Sequence, residues 1–109
     1  MPRPEPIITQ RAWEDLDAVF DAVLASSSSV ELAGRIYEGI LSRTEETSQM
    51  PLAAPIVYDM WDAASEYRWV EHRGWLVFFH VDERMAMVVD RVLWGRSEWR
   101  RRLAVDDAS

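Results

Sequence analysis

The 109 residues contain no cysteine and no lysine, only four glycines, and two histidines. Without cysteine there is no disulfide framework, thiolate metal site or cysteine nucleophile, and nothing points to an oxidising compartment, so a reducing cytoplasm is the expected setting. His72 and His80 show neither HxxH nor HExxH spacing, so no metal site is expected. No cofactor is expected either: the chain has no glycine-rich phosphate loop, nucleophile elbow or internal repeat. No stretch approaches the roughly 20 apolar residues needed to span a bilayer. The start, MPRPEPIITQ, lacks the apolar segment of a signal peptide, so the expectation is a soluble protein that does not engage membranes.

What is present is 49% hydrophobic residues, enough to fill one core, so a single domain over 1–109 is expected, with 1–6 and 104–109 flexible. The net charge is −7, from 19 acids against 12 arginines. That balance argues against general affinity for a phosphate backbone, so direct nucleic-acid binding is not expected. The charge is uneven. Residues 1–60 hold four Arg and ten acids, while residues 61–109 hold eight Arg and nine acids, so basic potential collects toward the end of the chain. Arginine favours planar, bidentate contacts at any interface it serves.

Three proline positions, Pro2, Pro4 and Pro6, lead into Ile7 and Ile8, which read as a short edge strand. A helix follows from Gln10 to Ala25 with Thr9 as N-cap, its core stripe Ala12, Trp13, Leu16, Val19, Phe20, Val23 and Leu24 recurring at helical spacing. A second helix runs from about Ser29 to Thr47, with Ser28 and Glu31 at the spacing of a capping box. Its Gly34 and Gly39 either weaken it or allow close packing on the first helix. The four-serine turn between them makes an antiparallel pair. Residues 48–64 hold two prolines and no clear period, and read as an irregular crossover returning Met60 and Trp61 to a sheet.

The richest segment is residues 65–103. Glu66–Glu71, Trp75–Val81 and Ala86–Trp94 are strand-like, and the turns His72-Arg73-Gly74 and Asp82-Glu83-Arg84 are short enough for hairpins. The fold class is therefore α+β: a short N-terminal strand, an antiparallel helix pair, a three-stranded antiparallel meander and a short C-terminal helix. On the central strand one face carries Trp75, Val77, Phe79 and Val81 and should pack on the helices. The other carries Leu76, Phe78 and His80 and is expected to be open, an apolar surface of the kind that meets a partner. Alternatively, the crossover or the C-terminal segment covers it within the chain. His80 reads as a hydrogen-bonded structural or interface residue, and His72 as a solvated turn residue. Arg68 and Arg91, within strands, are placed to pair with carboxylates such as Glu66 or Asp90. Arg100, Arg101 and Arg102 either dock an acidic patch or phosphates, or complement the dipole at a helix C-terminus.

This order of elements resembles the RelE/ParE toxins of bacterial toxin–antitoxin systems. The resemblance covers about residues 7–103 and is carried by TQRAWEDL (residues 9–16), Tyr67-Arg68, GWLVFFHVDE and RVLWGRSEW. It implies a type II toxin, acting in the cytoplasm and held silent by a cognate antitoxin. Its RelE branch cuts mRNA on the ribosome and its ParE branch poisons DNA gyrase. Where RelE-type enzymes have an arginine after the aromatic that opens the central strand, this chain has Leu76, and no Tyr or His follows residue 97. The ParE branch resembles it better, through Val92-Leu93-Trp94-Gly95-Arg96, although Trp94 stands where histidine is usual. What the resemblance implies is a toxin that binds a protein, gyrase being the inherited target. Trp94, Arg96, Trp99, Arg100 and Arg101 would meet that target, and Leu76, Phe78 and His80 the antitoxin, with no catalytic residue assigned. The alternatives are an mRNA interferase using Arg68, His80, Arg91 and Arg96, or a non-toxic binding member of the family.

Overall fold

The computed structural model describes residues 4–58 and 64–108. Its elements are β1 (Ile7–Ile8), α1 (Gln10–Ser27), α2 (Val30–Thr47), a 3-10 turn at Pro51–Ala53, β2 (Ile56–Tyr58), β3 (Ala64–His72), β4 (Trp75–Val81), β5 (Met87–Trp94) and α3 (Trp99–Ala108). The sheet has five strands in the order β1-β5-β4-β3-β2, with β1 parallel to β5 and the other neighbours antiparallel. The expected meander is its centre. The strand that the sequence did not disclose is β2, which lies in the supposed irregular crossover and extends the sheet beyond β3. Met60 and Trp61 lie outside the described residues.

The local chemistry accounts for the joints. Thr9 caps α1, accepting a hydrogen bond from Ala12 N at 3.1 Å, and its hydroxyl donates to Val89 O at 2.9 Å, tying the helix start to β5. The serine turn places its residues one position later than the capping-box spacing implied. Ser28 ends α1 in the left-handed conformation (φ 55°), and Ser29 caps α2 through Leu32 N. Arg73 and Gly74 both have positive φ, 50° and 89°, and join β3 to β4 with the twist of a type I′ turn. The β4–β5 connection is longer, residues 82–86, and the Asp82 carboxylate organises it by accepting from Arg84 N and Ala86 N at 2.9 Å each.

The helix pair covers one face of the sheet. Ala12, Leu16, Val19, Ala33, Ile36 and Ile40 pack there against Val70, Val77, Phe79, Val89 and Val92. Trp13, assigned to the core stripe, is instead 39% exposed. A second apolar cluster sits on the other face: Val57, Tyr67, Phe78, Leu93 and Leu103, with Trp69, Leu76 and Trp99 against it. Phe78 and Phe79 are both fully buried, on opposite faces of the same strand. The expectation of an open face at Phe78 is thus corrected. The α3 helix lays Trp99 at 5.0 Å from the Phe78 ring, and Leu103 and Val57 complete the cover.

A bulge sets the phase of β5. Phe78 pairs with Arg91 and Phe79 with Val89, so Asp90 is an extra residue on that strand. It sends Arg91 and Asp90 to partners other than those expected. Arg91 binds Asp15 of α1, 76 residues away in sequence, with Nε at 2.7 Å and Nη2 at 3.1 Å from the carboxylate oxygens. Asp90 binds His80 Nδ1 at 2.6 Å. The two glycines of α2 also differ from expectation. Nothing lies near the Cα hydrogens of Gly34, while Gly39 is in contact range of the His72 ring, so His72 is a half-buried packing residue at the end of β3 and not a solvated turn residue.

Candidate functional site

On the face opposite the helix pair, an open groove of about 880 Å³ lies between β2 and the start of α3. Its floor is β-sheet: Trp69 and Leu76, both half-buried, continue the second apolar cluster toward solvent. One wall is Ile56, Val57 and Tyr58. The other is Trp94, Gly95, Arg96, Trp99 and Arg100. Glu71 adds a carboxylate on the β3 side.

The corner that shapes this wall is built by two glycines. The Trp94 ring occupies the place a side chain on Gly74 would take: a Cβ there would lie 2.6 Å from it, and the φ of 89° is itself a glycine conformation. The ring also contacts Trp75, with centroids 4.9 Å apart. Gly95 N donates to Gly74 O at 2.8 Å, and a Cβ on Gly95 would sit 2.9 Å from that carbonyl. The chain can therefore turn tightly from β5 toward α3 and hold Trp94 at the groove mouth, where it is 38% exposed. Beyond the corner, Ser97 N and Oγ donate to Trp94 O, and the Arg100 guanidinium lies 4.4 Å from the centre of the Trp99 ring.

The arginines after Trp99 are in the first turn of α3, not at a helix C-terminus. There the helix dipole opposes positive charge, so the second of the two explanations for Arg100–Arg102 is ruled out by position. Arg101 pairs with Glu98 at 3.5 Å, with both side chains highly exposed, and it does not line the groove.

Of the residues assigned to target binding, four (Trp94, Arg96, Trp99 and Arg100) line this one groove. Of those assigned to the antitoxin, Leu76 lies on its floor, Phe78 is beneath it and buried, and His80 is elsewhere, hydrogen-bonded to Asp90. Of the antitoxin set, only Leu76 thus lies partly exposed beside the four target-binding residues. Not foreseen were Trp69, Glu71 and the β2 wall, for which the signal was the short extended run Ile56-Val57-Tyr58 after Pro55.

The alternative ribonuclease set is dispersed. Arg68 binds the carbonyls of Leu52 and Ala54, at 3.3 and 2.7 Å, and fixes the 3-10 turn to β3. Arg91 is 4% exposed in its pair with Asp15. His80 is bound to Asp90, and only Arg96 faces the groove. Among the described residues no cluster of three or more His, Asp or Glu side chains could hold a metal ion, and no helix is long and apolar enough to cross a membrane.

A helix pair on one face of the sheet and a short tail helix on the other make up an α+β fold. A solved chain described as "Chromosomal ParDE TA system from P. aeruginosa" has this fold. It superposes with a TM-score of 0.66 over 84% of the present chain and 95% of its own, at 17% sequence identity. No family model matches the sequence, and no curated protein does.

Proposed function

We propose that the protein is the toxin of a type II toxin–antitoxin system, ParE-like in acting by binding a protein and not by cutting a nucleic acid. The observation that carries this reading is the groove: Trp94, Arg96, Trp99 and Arg100 converge on one surface of a ParE-like fold, while the residues of a ribonuclease set serve separate structural contacts. Tryptophan and arginine are the residue types that most often carry binding energy at protein interfaces. By resemblance the target is DNA gyrase, and the neutralising partner is a cognate antitoxin.

Two measurements test the reading. Induced expression should arrest growth, and Arg96→Glu or Arg100→Glu, both at exposed positions, should relieve the arrest while leaving the fold intact. Purified protein should inhibit supercoiling by gyrase, with the same variants impaired. Growth arrest without inhibition at stoichiometric excess rejects gyrase as the target, and the absence of arrest rejects the toxin reading altogether.

A further inference from the structure

We infer that the outer seam of the helix pair is a docking surface for an arginine-rich segment of another protein, its guanidinium groups held by Asp17, Asp21 and Glu38 beside the rings of Phe20 and Tyr37. The seam belongs to the helix layer and the groove to the opposite face of the sheet, so the inference stands or falls independently of the toxin reading.

Four observations carry it. The first is a second cavity, of about 610 Å³, between α1 and α2, lined by Asp17, Phe20, Asp21, Gly34, Tyr37 and Glu38. Each of these follows a core position of its helix (Leu16, Val19, Ala33 or Ile36) by one or two residues, which turns it from the sheet toward solvent along the seam. The second is the aromatic pair. Phe20 and Tyr37 meet edge to face with centroids 6.5 Å apart, and both stay half-buried at the seam. The third is charge left open. Asp17, Asp21 and Glu38 are exposed and, among the described residues, make no hydrogen bond or ion pair; Arg35, next to Gly34 in sequence, pairs with none of them. The fourth is Gly34 itself. It lies inside α2, where glycine is a poorer helix former than alanine, and a Cβ there would meet nothing within 4 Å. Packing gives no reason for a glycine at this position, and its missing side chain leaves room in the cavity.

These features choose the occupant. Free carboxylates on two neighbouring helices call for a cation, and residues 1–60, with ten acids against four Arg, steer one to this end of the chain. The aromatic rings favour arginine over lysine, because a planar guanidinium stacks on a ring while its N–H groups reach carboxylates in pairs. The seam is open to solvent and does not enclose a small ligand, so the cation arrives on the surface of another chain and not as a free amine.

The test uses the full chain and two labelled peptides, one with four arginines spaced by alanine and one with four lysines in their place, read by fluorescence anisotropy, with unlabelled spermine as competitor. The arginine peptide should bind at least about threefold tighter than the lysine peptide. Asp17→Asn/Asp21→Asn/Glu38→Gln should weaken it at least about tenfold. Glu5→Gln/Glu66→Gln/Glu83→Gln, which removes the same charge from exposed positions off the helix pair, should weaken it less than about threefold. Gly34→Gln should raise the melting temperature and still weaken binding at least about tenfold, because its side chain fills the room left in the cavity. An equal loss in the two triple variants would reduce the effect to net charge and overturn the inference. So would Gly34→Gln binding like the parent, the absence of a preference for arginine, or spermine displacing the peptide at concentrations below the peptide's own Kd. A chain that arrests growth but shows any of these results loses this inference and keeps the toxin reading.

Discussion

Removing the Asp15 carboxylate should cost this protein more than any surface change of the same size. Arg91 Nε and Nη2 donate to the two Asp15 oxygens at 2.7 and 3.1 Å, and Val92 N donates to the same carboxylate at 2.9 Å. The side chains are only 5% and 11% exposed, so water cannot replace these bonds. Breaking a buried pair from one side typically costs about 3–5 kcal/mol, because the remaining charge stays buried. Against a total stability on the order of 5–15 kcal/mol for a small domain, that is a large share. At about 4 °C per kcal/mol for a chain of this length, the melting temperature of Asp15→Ala should fall by roughly 12–20 °C. The assay is urea unfolding followed by tryptophan fluorescence, with an unchanged dependence on urea showing that the same surface is exposed. Replacing both partners, Asp15→Leu with Arg91→Met, should recover at least half of the loss, since no charge is then stranded. A loss below about 1 kcal/mol in Asp15→Ala would refute the reasoning, because that is how an exposed, solvent-screened pair behaves.

Phe78→Ala should destabilise by about 3–5 kcal/mol in the same titration, and Trp99→Ala by clearly less, since Phe78 is fully buried while Trp99 lies half-buried above it; the opposite order would mean that α3 does not cover the strand. Gly74→Ala should cost about 2 kcal/mol from the positive φ and the displaced Trp94 ring, with loss of the near-ultraviolet circular dichroism of the Trp75–Trp94 pair; an unchanged spectrum would argue against the glycine corner. Thr9→Ala should cost about 1–2 kcal/mol, because one hydroxyl both caps α1 and bonds β5, and Thr9→Ser should restore most of it; equal losses in the two variants would show that the hydroxyl is not the cause.

The helices and central strands were legible because their signals are local. Thr9 before a helical stripe marks the start of α1, and the bounds of β4 follow from an apolar run between Gly74 and Asp82. What stayed hidden depends on distant partners. The three-residue β2 has too few positions to show a period, and only its pairing with β3 makes it a strand. The bulge at Asp90 leaves no mark in the alternation of β5, yet it decides that Arg91 reaches α1 and that Asp90 meets His80. Phe78 looked open for the same reason. Its cover is Trp99 and Leu103, more than 20 residues on, and no strand pattern reports which helix will return to it.

The groove residues fared better, because Trp94, Arg96, Trp99 and Arg100 follow one another closely and a single turn suffices to gather them. The stability and the proposed binding thus come from different parts of the molecule. The buried Asp15–Arg91 pair and the first apolar cluster lie between helices and sheet, while the groove is lined by exposed arginines and half-buried tryptophans on the far face. Sites separated in this way and sharing no partners should contribute additively. Combining Asp15→Ala with Arg96→Glu should therefore lower stability by no more than Asp15→Ala alone, to within about 0.5 kcal/mol, and a larger departure in urea unfolding would show that the groove and the core are coupled through β5.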